Sequence, residues 1–379
     1  MMMKLKNYIY GVALGALSLT FASCYNADKD FPDYEKGTTA YFAYQNPVRT
    51  LILGNDIYDN TLDNMHMCRI WATMGGAYSG RDAVVDIVVD DSLCNNLFFL
   101  DDGGYPAEPV TPLKKEYYNI LSNNIPYKGD ARGYVEIQFT DEFFKDPKAI
   151  ENYYVIPIRM TGVKGIDRIL TGTPMVSSPI RTNANDWSIL PMDYVLYCVK
   201  YMNPWQGKYI RRGVDNVTEK GETKTIVRKD FSLYNSDIER YSKQDPSNPV
   251  NQYDEVCGIT TKNMTQAIFP VSFKTSGASI SCNLILTFNG NQCTISTDDE
   301  NVTVEGSGEF ITNGTERAEY KDYQWGSNNG KLVQRDILRL AYNVNFTEKD
   351  IKVSTSDTLV VQTRESNKRE FFDFKYVKE

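Results

Sequence analysis

The residues best suited to chemistry cluster late in the chain, in a polar stretch covering residues 312–331. Tyr320, Tyr323 and Trp325 supply three aromatic rings there, Asn328 and Asn329 follow, and Asp322 and Gln324 stand between. Flat aromatic faces take the apolar side of a sugar ring at low entropic cost, while amides and carboxylates bond its hydroxyls. A spacing of i, i+3 and i+5 does not put all three rings on one face of a strand, so at least one is expected in solvent. Carbohydrate binding through Tyr320, Tyr323, Trp325, Asn328 and Asn329 is the chemistry this pattern supports. The alternative is that Trp325 plugs one end of a barrel and the tyrosines cap its core. A second polar connection, residues 235–254, carries Tyr241 and Tyr253 and ranks behind the first.

Reacting constellations are scarcer. His66 is the one histidine, set among Met65, Met67 and Cys68, so the chain supports at most one histidine-based triad and no multi-histidine metal centre. A lone histidine beside apolar residues is read as structural. The adjacent acids Asp90-Asp91, Asp101-Asp102 and Asp298-Asp299 offer carboxylate pairs for glycoside hydrolysis. Neighbours on a strand face opposite ways, however, and the latter two pairs sit in turn-like contexts. Gly75-Gly76 and Gly103-Gly104 lack the helix and lysine that a phosphate loop requires. No catalytic residue, metal ligand or cofactor is expected, and the reading is non-enzymatic.

Bulk properties narrow the partners. Net charge is −8 with a pI near 5, against a nucleic-acid ligand, which needs a basic face. Lys4 and Lys6, the apolar run through Val12, Leu14, Leu17 and Leu19, and the small residues Ala22 and Ser23 make residues 1–23 a secretory signal. Six cysteines follow Cys24: Cys68, Cys94, Cys198, Cys257, Cys282 and Cys293. None stands in a C-x-x-C pair, and most are expected as small buried hydrophobes. A tight turn at Asn289-Gly290 would set Cys282 opposite Thr297 and Cys293 opposite Leu286, keeping those two apart.

These side chains need a scaffold, and its period is two. Residues 84–90, 133–140, 153–161 and 194–201 alternate apolar and polar positions, as do 278–288 and 336–346. Further strands are expected at 224–234, 292–296, 358–363 and 370–377. The pattern means an all-β protein of antiparallel sheets, each with one wet face. A short capped turn at 140–144, stopped by Pro147, is the one helical candidate of the first half. Alternation breaks at Met202-Asn203-Pro204-Trp205, a natural seam because proline donates nothing to a ladder. The expected division is residues 1–23 signal, 24–37 tether, 38–202 first domain and 203–379 second. Trp71 and Trp205, in or beside strands, are assigned to the cores, and Trp187 to the interdomain seam.

Leu19-Thr20-Phe21-Ala22-Ser23-Cys24 resembles a bacterial lipobox, with Phe21 in place of the usual leucine, which implies lipid on Cys24. An ordinary signal peptide with an incidental cysteine is the other reading. Asp28 and Asp30 in the following tether resemble the acidic export signals of Bacteroidetes surface lipoproteins, or form a solvated linker. Across residues 38–200, Val84-Val85-Asp86-Ile87-Val88-Val89-Asp90-Asp91-Ser92-Leu93, Glu116-Tyr117-Tyr118-Asn119-Ile120-Leu121-Ser122, Gly133-Tyr134-Val135-Glu136-Ile137 and Tyr154-Val155-Ile156-Pro157-Ile158 together resemble an immunoglobulin-like domain of such lipoproteins. In relatives it is sometimes fused to a family-18 glycoside hydrolase, whose acidic D-G-x-D-x-D-x-E repeat is missing here.

The remainder resembles a lipocalin-like partner domain, through Asn203-Pro204-Trp205-Gln206-Gly207-Lys208-Tyr209, Asp336-Ile337-Leu338-Arg339-Leu340-Ala341-Tyr342 and Thr358-Leu359-Val360-Val361-Gln362-Thr363-Arg364. The resemblance implies a β-sandwich followed by a β-barrel, held by lipid in the outer membrane and facing the cell exterior. It also implies a glycan or glycoprotein ligand within a polysaccharide-utilisation system, beside a porin-like transporter. A fimbria-like assembly protein or adhesin is the runner-up, and an unrecognised glycosidase the third reading.

Overall fold

The computed structural model describes residues 33–228, 255–315, 320–321, 332–364 and 369–378. Both halves are β, as the period of two requires. In the first, Met67–Gly75 and Arg132–Phe139 pair antiparallel at the centre of a five-stranded sheet. Cys68, Ile70, Ala72 and Met74 alternate inward and meet Val135 and Ile137 from the neighbouring strand. A second sheet, centred on Tyr154–Lys164 between Val84–Val89 and Tyr194–Met202, closes over them with Val85, Ile87, Ile156, Ile158 and Val199. Each such aliphatic side chain, fully buried, contributes about 1.5–3 kcal/mol. This is the expected β-sandwich. The short helix also forms, at Asp141–Lys145, and Pro147 begins a 3-10 turn instead of extending it.

Two expectations for this half need correction. Over residues 154–160 and 194–202 the strands Tyr154–Lys164 and Tyr194–Met202 have no wet face. Val155, Leu196 and Cys198, on their outer side, are buried under Leu93, Leu97, Phe99 and Phe372. Their near-continuous apolar sequences, Tyr-Val-Ile-Pro-Ile and Tyr-Val-Leu-Tyr-Cys-Val, fit strands covered on both sides. Nor is pairing wholly antiparallel: Pro47–Ile52 runs parallel to Tyr194–Met202, and Thr39–Tyr41 parallel to Arg168–Ile169.

The second half is a closed antiparallel barrel of eight strands. Gly207–Glu219 pairs along one edge with Ile351–Thr363, closing the cylinder. Its other edge is shared by Glu222–Arg228 and Glu255–Thr261. The interior is filled by Tyr209, Phe269, Phe273, Leu284, Leu286, Phe288, Leu340, Tyr342 and Phe346. Gly306 and Gly308 make room for them, because a Cβ there would lie 2.4 Å from Tyr342 Cβ and from Leu340 Cδ2 respectively. Trp205, 8% exposed, stacks on Phe288 at 3.7 Å and caps one end, the core role expected of it.

The hairpin register differs from the expected one by one residue per strand. Gly290 (φ +60°) takes the first central turn position, so Asn289 pairs Gln292 and Cys293 faces Phe288. The strand Gln266–Phe273 also forms, despite Pro270, which hides it in the sequence. Among the described residues its far edge pairs only near Ile268, so Pro270 sits where no second ladder is broken.

Asn203 joins the halves with every polar group engaged. Its Nδ2 donates to the carbonyls of Asn263 and Gln266, its Oδ1 accepts from the Trp205 and Gln206 amides, and its own amide donates to Thr261 Oγ1. Gly54 (φ +84°) lies under Pro204, where a Cβ would come within 2.6 Å of the proline ring. The end of the chain then returns to the first half. Glu370–Phe371 pairs with Pro47–Ile52, and Phe374–Tyr376 with Leu97–Leu100. The expected 203–379 unit therefore ends in a segment whose strand partners belong to the sandwich.

Candidate functional site

Where the two halves meet, a cleft of about 540 Å³ opens between the Pro47–Ile52 strand, the start of the barrel and the returning tail. Clefts at domain junctions are common ligand sites, because two rigid surfaces supply the walls. Its aromatic wall is Tyr44 against Phe371, ring centroids 5.0 Å apart, 52% and 46% exposed. Phe371 is exposed because the tail alternates: Phe372 turns inward onto Phe99, 4.9 Å away, and its neighbour is left facing out.

Arg49, Lys200, Lys208, Arg364 and Arg369 line the same cleft, with Glu370 as the carboxylate among its lining residues. Arg49 and Lys200 are held in ion pairs. Arg49 pairs with Asp63, and Lys200 Nζ lies 2.8 Å from Glu370. Burial pushes the Asp63 carboxyl up, and Arg49 partly offsets this. Arg364 is different. At 7% exposure it donates to three neutral carbonyls, of Asn203 (2.7 Å), Leu53 (3.1 Å) and Asn55 (3.1 Å), and its Nε is buried without a partner. Burial holds this guanidinium below the ordinary arginine range.

The barrel holds a second charged group, deeper in. Arg211, fully buried, donates through Nε to Asp357 (3.0 Å) and lies over the rings of Phe269 and Phe273. Tyr342 donates to the same carboxylate at 2.8 Å, and Arg228 bridges Asp357 and Asp215. Burial alone would lower the Arg211 pKa, but the surrounding carboxylates hold it up. Apart from Arg228 Nε, which is buried without a hydrogen-bond partner, these groups satisfy one another. With aromatic rings around them they make the barrel a solid support rather than an open calyx.

Of the sequence-derived binding residues, Tyr320 begins a two-residue strand, Tyr320–Lys321, paired with Leu332–Val333. Tyr323, Trp325, Asn328 and Asn329 lie outside the described residues, as do Cys24, Asp28, Asp30, Tyr241 and Tyr253. The excursion carrying the aromatic cluster leaves the barrel at the end that faces the sandwich. At its foot Asp336 accepts from the Asn313 amide and from Asn55 Nδ2, and Asn55 in turn accepts from Arg364.

Other chemistry-bearing residues resolve into structural roles. His66 adopts φ +57°, packs tilted on Phe144 with ring centroids 4.1 Å apart, and offers its carbonyl to Phe139 and Gln138. Asp90 pairs with Arg159, and Asp298 with Lys262. All six described cysteines are free thiols, five of them buried, and burial pushes Cys68, Cys94, Cys198, Cys257 and Cys293 up to about 12. Trp187 is buried beside its own hairpin, donating Nε1 to the Ile180 carbonyl, and this local packing accounts for it without the seam.

Trp71 is a correction: it does not serve the core. With Ile70 and Ala72 turned inward, it faces out of the five-stranded sheet at 45% exposure. It meets Tyr134 at 4.7 Å, Arg132 lies over its ring, and Arg69 lies over Tyr134. The alternation of Cys68, Ile70, Ala72 and Met74 against Arg69, Trp71 and Thr73 carries that signal in the sequence.

Residues 204–365 match a family described as a domain of unknown function, DUF5627, and residues 34–167 match one described as a "-like, N-terminal domain". A solved structure from Bacteroides ovatus, a protein of unknown function, is 39% identical in sequence. It superposes with a TM-score of 0.76 over 91% of this chain and 100% of that one. No curated protein matches the sequence.

Proposed function

The chain belongs to the family of that Bacteroides ovatus protein, and we propose that it is a non-catalytic, lipid-anchored protein of the cell surface that binds glycans. The observation that supports this reading is the exposed Tyr44–Phe371 pair in a cleft whose other walls are polar. An aromatic pair held half-exposed, Tyr44 from the connection before Pro47–Ile52 and Phe371 from the strand paired with it, presents an apolar face for a sugar ring at low ordering cost. Arginine, lysine and backbone groups around it bond hydroxyls. The aromatic excursion at residues 312–331 leaves the barrel at this same end and supplies further rings to an extended ligand. Lipid on Cys24 anchors the protein in the outer membrane, where captured glycan passes to a porin-like transporter.

Substitution tests the site. Tyr44→Ala and Phe371→Ala should each weaken binding on a glycan array about tenfold or more while leaving the melting temperature within about 2 °C, since both rings are exposed. If both variants retain full binding, the cleft is not the site.

A further inference from the structure

We infer that the junction cleft recognises an anionic group, a carboxylate or sulfate carried on the glycan. The inference rests on the reading above for the sugar, and on charge for the rest. The chain carries 41 Lys and Arg against 49 Asp and Glu, yet five of its cations and one carboxylate line this cleft. Such a local reversal on an acidic protein concentrates positive potential in a partly desolvated recess, where field lines are least screened.

The positions of the five cations sharpen this. Arg49 and Lys200 are neutralised by Asp63 and Glu370. Arg369 is exposed and makes no ion pair among the described residues. Arg364 is nine-tenths buried and spends its guanidinium on neutral carbonyls. Asp56 and Asp336 act on this guanidinium without outweighing its burial, and an anion brought into the cleft adds to that partial compensation. Arginine also favours planar oxyanions, which match its donor geometry. A carboxylate or sulfate placed at Arg369, with its sugar ring on Tyr44 and Phe371, would use the exposed groups of the cleft.

The test compares matched saccharides on the purified full chain by titration calorimetry. One pair is oligogalacturonate and its methyl ester; the other is a sulfated galactan oligosaccharide and its desulfated form. Inorganic sulfate, followed by thermal shift, is the sugar-free probe. The expected result is that the acidic member of one pair binds at least about tenfold tighter, with affinity falling as salt rises. Arg369→Glu should lose about tenfold or more. Glu370→Gln, which frees Lys200, should strengthen binding severalfold, an effect no merely structural role produces. Which pair responds separates carboxylate from sulfate. Equal binding of acidic and neutral members overturns the anionic inference and leaves glycan binding standing. A sulfate-induced shift abolished by Arg369→Glu, with no saccharide bound, overturns the glycan reading and leaves the anion site. No response to any probe overturns both.

Discussion

Removing one ring from the returning tail should loosen the sandwich and spare the barrel. Phe372 is 4% exposed and packs on Phe99 at 4.9 Å and Phe374 at 5.9 Å, above Val155, Leu196 and Cys198. Phe→Ala in a core costs about 3–5 kcal/mol, transfer and cavity together. This small satellite core can collapse around the gap more easily than a central one, so about 3 kcal/mol is expected. The bonds that the Phe372 backbone makes with the Asn46 carbonyl and Nδ2 survive the change, which confines the loss to packing. At about 2–4 °C per kcal/mol for a unit of this size, the sandwich transition should fall by about 6–12 °C. Hydrogen exchange read by mass spectrometry resolves the halves. Amides of Tyr154–Lys164 and Tyr194–Met202 should exchange faster in Phe372→Ala, and those of Ile280–Asn289 in the barrel should not. An unshifted sandwich transition would refute the covering role of the tail. Equal loosening of both halves would refute two separate cores.

Three further outcomes follow from individual groups. Burial alone would raise Asp146, but bonds from Tyr117, the Lys148 amide, Tyr154 and Lys114 outweigh it and hold its pKa at about 2. A carboxylate depressed in the folded state stabilises above its unfolded pKa and ceases to as pH falls. Asp146→Asn should therefore cost about 2 kcal/mol at pH 7, a difference that shrinks between about pH 4 and pH 2 in chemical denaturation. In the barrel, Arg211→Met leaves Asp357 with Arg228 and Tyr342 and should cost about 1.5–3 kcal/mol, and Arg211→Met with Asp357→Leu, which also takes a partner from Arg228, should cost more in a double-mutant cycle. Cells fed labelled palmitate should label the wild-type protein and not Cys24→Ala; label persisting in the variant would place the lipid elsewhere.

The strands that sequence shows plainly are those with one buried face. Ile280–Asn289 and Ile337–Phe346 alternate cleanly, and both form as barrel staves. Gln266–Phe273 is masked by Pro270, whose meaning depends on whether the strand's far edge is paired, a fact of tertiary structure. Tyr154–Lys164 reads as half-buried until the tail, some two hundred residues later, is known to cover its second face. Local pattern specifies a strand and one of its faces; what packs on the other is a long-range matter.

The candidate site obeys the same rule more strictly. Tyr44, Arg49, Lys200, Lys208, Arg369 and Phe371 come from stretches separated by up to several hundred residues, and none of those stretches is unusual in composition. Reading for aromatic-rich loops finds the 312–331 excursion, because its residues are neighbours in sequence. It misses a cleft whose residues become neighbours only when Phe374–Tyr376 pairs with Leu97–Leu100 and draws Arg369 and Phe371 across the junction. The returning tail thus has two tasks that share one backbone. Its inward residues, Phe372 and Phe374, close the outer core of the sandwich, while Arg369, Glu370 and Phe371 furnish the cleft. This short stretch, residues 369–374, couples the stability of the first half to the shape of the site. A ligand seated on Phe371 should accordingly slow exchange at Val155 and Leu196, which it does not touch, and should fail to do so once Phe372 is reduced to alanine.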